Sequence, residues 1–202
     1  MSPRAMVVFG LIEPGGILIF PFTFFFSDII TEVYGYKQSR RLIWVTVICL
    51  LFFVVTSWLC MRLPSSSIEQ NNYSFVIVFD KYPKALLGIG SAIILSFLTN
   101  NLILAKLKIL SHGRYYWVRS ILSTSIGHAI FSLTWSVIFY FDVVSFGEML
   151  RLAFNIYGLK IVSELVLTPF STFIAESLKK REGVDVYDYD TKFNFFSLKV
   201  DD

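Results

Sequence analysis

Charged residues are scarce in this 202-residue chain, in which Asp, Glu, Lys and Arg together make up 16% of the sequence. An average soluble domain carries about 25% charged residues. Hydrophobic residues account for 55% of the chain, and 21 of its residues are Phe. Charged residues are too few to cover a surface that faces water, which argues against a soluble globular protein.

Cysteine and histidine occur only twice each. Cys49 and Cys60 lie in one apolar stretch, and on a helix they would be about 16 Å apart, beyond the reach of a disulfide. His112 and His128 have no cysteine nearby at the spacing of a metal site. No catalytic motif and no basic stripe with interleaved aromatics occur either. We therefore expect a protein that is not an enzyme, with no cofactor, no metal and no nucleic-acid partner.

Long uncharged runs are what the sequence has instead. Residues 42–61, 85–105 and 120–141 contain no charged side chain, and each is as long as the roughly 20 helical residues that cross a hydrocarbon core. Residues 5–34 and 151–177 are also apolar but contain Pro and ionisable residues, which are tolerated where they face protein or a cavity. The sequence predicts an all-α, polytopic helix bundle in the lipid bilayer, with five to six transmembrane helices.

The distribution of Lys and Arg predicts the orientation, because short cytoplasmic loops are enriched in these residues. Their densest clusters place residues 36–41, residues 106–119 and the tail from residue 179 in the cytoplasm. The segments 62–84 and 141–151 then face outside. We expect a multi-pass protein of the bacterial cell inner membrane.

The chain divides after its last apolar segment. Residues 1–181 are expected to form the transmembrane bundle, and residues 182–202, which mix acidic and aromatic side chains, a short polar cytoplasmic tail. Five crossings would leave the first residue outside. We therefore expect a further helix upstream of Ser2, whose restoration would stabilise the bundle.

Two acidic residues of the first apolar segment are candidate substrate ligands. Asp28 and Glu32 are four residues apart, which places both carboxylates on one helix face. An acid inside the membrane is a functional candidate because its exposure to lipid is costly. A structural role stays open for each: Asp28 could cap a half-helix, and Glu32 could pair with Lys37 or Arg40.

Polar residues of the next two segments are further candidates. Asn100 and Asn101 lie deep in an apolar run, where their amides either bind substrate or join helices. Arg119 either faces the cavity or extends to the cytoplasmic surface. Ser123 and Thr124 are small enough to let another helix approach closely while they contact the substrate.

Three ionisable residues complete the candidate set. His128 follows Gly127 in the third run and is either a ligand contact or a hydrogen-bonded structural residue. Lys160 and Glu164 are four apart in the last segment and either line the cavity or pair with each other. Inward-facing polar groups spread over four helices suit a binding cavity rather than a hydrolytic site.

Several of these residues belong to motifs that resemble the bacterial queuosine-precursor transporters, a family also described as vitamin-uptake transporters. The motifs are Pro14 to Pro21 with Asp28, Glu32, Tyr34-Gly35 and Arg40-Arg41; Lys106-Leu107-Lys108; Trp117-Val118-Arg119 with Ser123-Thr124 and Gly127; Tyr157 with Lys160 and Pro169; and residues 181–188 with Phe193-Asn194. The resemblance covers nearly the whole chain, and five motifs in the same order are specific.

The resemblance implies six transmembrane helices with both termini in the cytoplasm. It also implies uptake of a 7-deazaguanine, such as 7-cyano- or 7-aminomethyl-7-deazaguanine, for queuosine synthesis in tRNA. A guanine-like edge offers adjacent N–H donors that one carboxylate accepts in bidentate fashion, a role for Asp28 or Glu32. Phe and Trp would stack the ring, and His128 with Asn100 and Asn101 would bind the opposite edge.

We interpret the chain as an inner-membrane transporter whose partners are a small deazapurine and the lipid bilayer. Two other functions stay open, a substrate-binding membrane subunit with a separate energising module and a non-transporting membrane assembly protein. Copurification of ATPase subunits would favour the first, and direct binding of a deazapurine would count against the second. The oligomeric state stays open, a homo-oligomer included.

Overall fold

The computed structural model describes residues 5–8, 11–14, 20–62, 82–140 and 144–195. Within these ranges four long helices form a bundle. They are α1 (Phe20–Arg62), α2 (Tyr82–Leu110), α3 (Tyr116–Tyr140) and α4 (Phe146–Glu182). Each is long and apolar enough to cross a membrane. The all-α polytopic architecture is confirmed, with four such helices in the described part of the chain rather than five to six.

The first apolar segment, expected to be helical over 5–34, begins differently. Residues Ala5–Val8 (β1) and Leu11–Pro14 (β2) pair as antiparallel strands, and the helix begins only at Phe20. Three of these eight residues, Val7, Val8 and Ile12, are β-branched, and Gly10 separates the two segments in the sequence. Short apolar segments of this kind cannot be told from the start of a helix by their hydropathy alone. Pro21 falls in the first turn of α1, where its missing N–H costs no helical hydrogen bond.

Helix α1 is interrupted at Gly35, whose backbone is not helical (φ 84°, ψ 173°). Glycine adopts a positive φ readily because it has no Cβ. The interruption joins two segments that the sequence predicts as separate crossings. α1 therefore consists of two helical limbs, residues 20–34 and residues 36–62.

The two limbs of α1 run in opposite directions along α2. Phe24 of the first limb lies beside Phe97, with ring centroids 4.0 Å apart, and Glu32 lies beside Lys108 near the end of α2. Leu50 of the second limb packs against the early part of α2. The chain therefore reverses its direction at the glycine.

Segments that the sequence predicts to be cytoplasmic meet at one end of the bundle. The residues after α4 fold back over the glycine break: Val186 N donates to Val33 O at 3.1 Å, and Asp188 Oδ2 accepts from Tyr36 N at 2.9 Å. Lys108 Nζ donates to the carbonyl of Val186 at 2.7 Å. The described part of the tail, up to residue 195, is therefore packed against the helices. The side of the membrane on which this end lies stays a prediction.

The loops predicted to face outside are only partly described, since residues 63–81 and 141–143 fall outside the described ranges.

The bundle is apolar on its surface and polar inside. Phe52, Phe154 and Phe173 are 70%, 73% and 75% exposed. Arg40 and His128 are among the largest fully buried side chains. An apolar surface with an interior of hydrogen-bonding groups is expected of helices in hydrocarbon, where polar side chains avoid lipid.

Candidate functional site

Asp28 lies in the middle of the bundle and is 1% exposed. Its Oδ1 accepts a hydrogen bond from Asn100 Nδ2 at 2.6 Å, and its Oδ2 accepts from Ser120 Oγ at 2.7 Å and Thr124 Oγ1 at 2.8 Å. All three donors are neutral. Asp28 does not cap a half-helix, because α1 begins at Phe20. It joins α1 to α2 and α3.

Glu32, one turn further along α1, is surrounded by cations. Arg119 Nη1 and Nη2 donate to its two carboxylate oxygens at 2.8 and 3.0 Å, and Lys179 Nζ donates to Oε1 at 2.5 Å. Lys108 Nζ donates to the Glu32 carbonyl and lies 3.9 Å from Oε1. Glu32 is thus paired with three other helices rather than with basic residues of α1. Arg119 is 3% exposed and does not extend to the surface.

Asp185, after the end of α4, joins the ion pairs around Glu32. We call the whole network, which consists of Glu32, Lys108, Arg119, Lys179 and Asp185, the cation cluster. Its Oδ1 lies 2.6 Å from Lys108 Nζ and 2.9 Å from Lys179 Nζ. Burial alone would raise the pKa of this carboxyl, but hydrogen bonds from the two lysines outweigh it and lower the pKa below its ordinary value of 3.8. Two carboxylates and three cations therefore close one end of the bundle.

Two candidate residues mainly connect and support helices. Asn101 Oδ1 accepts from Ser27 Oγ at 3.0 Å and from Asn100 Nδ2 at 3.3 Å, which ties α2 to α1. Asn101 Nδ2 is buried and has no hydrogen-bond partner among the described residues. Ser123 Oγ donates to the carbonyl of Ser120 in its own helix at 3.1 Å.

Gly127 lies where α1 and α2 approach α3 closely. A Cβ there would lie 3.0 Å from Phe24 Cε1 and 3.3 Å from the carbonyl oxygen of Ser96. The next residue, His128, packs its ring 4.3 Å from that of Phe24. Both ring nitrogens of His128 are buried and lack a hydrogen-bond partner in the described part of the chain.

Four phenylalanines form an aromatic cluster beside His128, defined here as Phe20, Phe24, Phe97 and Phe131. The Phe20 and Phe131 ring centroids are 4.2 Å apart, and those of Phe24 and Phe97 are 4.0 Å apart. Lys160 Nζ lies 3.5 Å from the Phe131 centroid and 4.4 Å from that of Phe20. An ammonium against ring faces is stabilised by the ring quadrupole.

Glu164 is 3% exposed and lies on α4 across from Asp28. Its Oε1 is 3.4 Å from Ser120 Oγ and 3.4 Å from Thr168 Oγ1. Its Oε2 is buried without a hydrogen-bond partner among the residues described. Ser120 therefore links Glu164 to Asp28.

The structure brings the candidate residues together in two groups. Asp28, Asn100, Thr124 and Glu164 meet around Ser120, whereas Glu32 and Arg119 belong to the cation cluster. Asn101, His128 and Lys160 line the interior next to the first group, and Ser123 bonds to its own helix. Within the described ranges no set of three His, Cys, Asp or Glu is placed to hold a metal ion.

Sequence reasoning missed Ser120, Lys108 and Lys179 as site residues. A signal for Ser120 exists, because Ser120, Thr124 and His128 recur every four residues along one face of α3. Lys179 was used only to predict orientation, and Lys108 only for orientation and for the family resemblance. Their pairing with Glu32 depends on tertiary packing.

Comparison with known proteins agrees with the family resemblance. Residues 14–174 match a family model described as "Putative vitamin uptake transporter". A protein of Bacillus subtilis (strain 168), described as "Probable queuosine precursor transporter", is 22% identical over 171 residues, which cover 83% of this chain and 74% of that protein. No solved structure matches. With its long apolar helices, the chain is a multi-pass inner-membrane protein, and it belongs to the vitamin uptake transporter family.

Proposed function

We propose that this chain imports a queuosine precursor of the 7-deazaguanine class. The observation that carries the proposal is Asp28, a buried carboxylate held only by neutral donors, next to the aromatic cluster. The description of the Bacillus subtilis relative supports the same substrate class.

Asp28 is better suited than Glu32 to accept the guanine-like edge. Both oxygens of Glu32 are already bonded by Arg119, and Lys179 adds a further charge. Removing a carboxylate from such a pair would leave buried cations unpaired, at a cost of several kcal/mol. The hydroxyl and amide donors on Asp28 are neutral and can turn toward other acceptors. Two N–H donors of a deazaguanine would then replace them.

The aromatic cluster would stack the bicyclic ring. Ring–base stacking contributes about 1–3 kcal/mol per base and does not need a particular base. The Phe rings now contact one another, so a substrate must separate them. We infer that the structure is a closed form of the site.

His128 and Asn101 would bind the opposite edge of the substrate. A neutral imidazole offers one donor and one acceptor, and an amide nitrogen offers two donors. These buried groups have no partner in the described chain, and each can donate a hydrogen bond to a carbonyl oxygen or ring nitrogen of the substrate. We do not assign Glu164 to substrate contact.

Release into the cytoplasm would require the cation cluster to separate. Glu32, Arg119, Lys179, Lys108 and Asp185 connect α1, α2, α3, α4 and the tail in one network. The network lies below Asp28 on the way to the end of the bundle predicted to be cytoplasmic. It would act as the inner gate.

Uptake of labelled 7-cyano-7-deazaguanine into cells that cannot make it tests the proposal. Cells that express the chain should accumulate the label, and the compound should be recovered chemically unchanged. Phe24→Leu should lower affinity about tenfold through lost stacking. Phe52→Leu is a matched control on the exposed surface of α1 and should behave as wild type. Uptake no better than in cells without the chain would overturn the proposal.

Reconstitution of the purified chain alone separates the proposal from its main alternative. Uptake into liposomes without any other protein supports a self-sufficient transporter. A requirement for ATPase subunits would instead favour a substrate-binding subunit with a separate energising module.

A further inference from the structure

The buried carboxylates of the bundle differ in their counterions. Glu32 has Arg119, Lys179 and Lys108 around it. In the described part of the chain neither Asp28 nor Glu164 has an ammonium or guanidinium group within ion-pair distance. Two bare carboxylate anions in one membrane interior are strongly unfavourable.

One proton shared between the two carboxyls would satisfy the contacts around Ser120. The Ser120 hydroxyl has a single hydrogen and lies 2.7 Å from Asp28 Oδ2 and 3.4 Å from Glu164 Oε1, so it cannot donate to both. When it donates to the nearer Asp28, it can accept a hydrogen bond from Glu164, provided that Glu164 is a carboxylic acid. The Thr168 hydroxyl, which donates to the Glu164 carbonyl at 2.7 Å and lies 3.4 Å from Oε1, is a second acceptor for the same proton.

We propose that Glu164 carries the proton that drives import, with Ser120 linking it to Asp28. This inference rests on the proposed function. A proton from water on the outer side forms the O–H bond of Glu164, which then donates to Ser120 while Ser120 donates to Asp28. Its loss to water on the cytoplasmic side breaks that bond. Two anions then face each other through one hydroxyl, no more than about 6 Å apart, and their repulsion opens the site.

Other titratable groups face this pair from every neighbouring helix. α1 contributes Glu32, one turn from Asp28. α3 contributes Tyr116, Arg119 and His128, and α4 contributes Lys160, one turn before Glu164. α2 places the neutral Asn100 against Asp28, with Lys108 further along against Glu32. Variants of the pair must therefore be compared with a control that leaves these groups in place.

The oxygens of Asp28 accept from N–H and O–H donors at 2.6 to 2.8 Å. Hydroxyl and amide oxygens can also bind a sodium ion. The experiment therefore tests a sodium gradient beside the proton gradient.

Gradient-driven transport in proteoliposomes with an internal pH dye tests the proposal. An inside-alkaline gradient of one pH unit should drive about tenfold accumulation of 7-cyano-7-deazaguanine at one proton per substrate, with a matching dye response. Glu164→Gln should lose both signals but still exchange labelled for unlabelled substrate at equal pH. Glu164→Asp should keep both in part. Glu176→Gln, at an exposed acid of the same helix, should match wild type.

Full gradient-driven accumulation by Glu164→Gln, or accumulation driven by sodium at equal pH, would overturn the proposal. Infrared spectroscopy of the substrate-free protein separates this failure from that of the proposed function. Wild type should show a carboxylic-acid C=O band that Glu164→Gln loses. An absent band refutes the proton site even if transport occurs. A band in a protein that transports no deazapurine refutes the proposed function alone.

Discussion

Replacing Asp28 by Asn tests the site most directly, because it keeps the side-chain volume and removes only the charge. The oxygen that accepts from Asn100 is retained. The other oxygen, which accepts from Ser120 and Thr124, becomes an amide nitrogen. Both hydroxyls can turn to accept from that nitrogen, since a hydroxyl carries lone pairs as well as a hydrogen.

The expected cost to folding is small. Charge-assisted hydrogen bonds are roughly twice as strong as neutral ones, and a neutral one contributes about 1 kcal/mol. Weakening the contacts of Asp28 therefore costs about 2–3 kcal/mol. Neutralising an acid in the membrane interior returns a similar amount. The net change in unfolding free energy should be within about 1 kcal/mol.

The expected cost to binding is large. The amide nitrogen would meet one of the two N–H donors of the guanine-like edge, so one of the two hydrogen bonds would be lost, the other would lose its charge assistance, and a buried N–H would be left unpaired. Truncating one partner of a buried charged pair costs on the order of 2–5 kcal/mol, which corresponds to an affinity loss of at least tenfold.

The assay measures 7-cyano-7-deazaguanine affinity and melting temperature on the same detergent-solubilised samples of wild type, Asp28→Asn and the exposed control Glu176→Gln. Unchanged affinity with a lowered melting temperature in Asp28→Asn would refute the reasoning. Asp28 would then only join helices.

Four further outcomes can be measured on the same protein. Gly35→Ala should cost about 1–3 kcal/mol, because a residue at φ +84° would place its Cβ 2.9 Å from Val186 Cγ1. A Cβ added at Gly158 of α4 would meet no atom within 4 Å, so Gly158→Ala should instead stabilise the fold by about 0.5–1 kcal/mol. Equal melting temperatures of the two variants would contradict this reasoning. Ionised Asp185 stabilises the fold above its ordinary pKa, and that contribution is lost as pH falls through the lowered value. The unfolding free energy of wild type should therefore fall more steeply than that of Asp185→Asn below about pH 4. Parallel curves of unfolding free energy against pH for the two proteins would contradict this. In a cysteine-free background, Ser111→Cys should react with a membrane-impermeant thiol reagent only from the cytoplasmic side. Labelling from the outside would show that the predicted orientation is wrong.

The helices could be predicted because an apolar run long enough to span is a local property of the sequence. The position of Asp28 and Glu32 on one helix face could also be predicted, from their spacing. The different surroundings of the two carboxylates could not be predicted. Asn100 is 72 residues from Asp28, and Lys179 is 147 residues from Glu32. Pairing over such separations is decided by tertiary packing, which one sequence does not display.

One error at the start of the chain has a different cause. The region before Phe20 was expected to be helical because hydropathy does not distinguish a short strand pair from the start of a helix. At the other end, the mixed acidic and aromatic composition predicts a short polar tail but not its contacts. In the structure Asp188 is 4% exposed and accepts from the backbone N–H of Tyr36 just after the glycine break. An acid can be a structural contact when it meets unpaired backbone donors.

The cation cluster also has a consequence for how the protein is made. Glu32 leaves the ribosome early, whereas Arg119 follows it by 87 residues and Lys179 by 147. At roughly 5–20 residues per second, Lys179 is synthesised on the order of 10 seconds later. Until Lys108, then Arg119 and finally Lys179 have been made, the first limb of α1 carries an acid whose set of partners is incomplete. A ribosome that stalls within α4 would therefore release a chain in which Glu32 lacks Lys179.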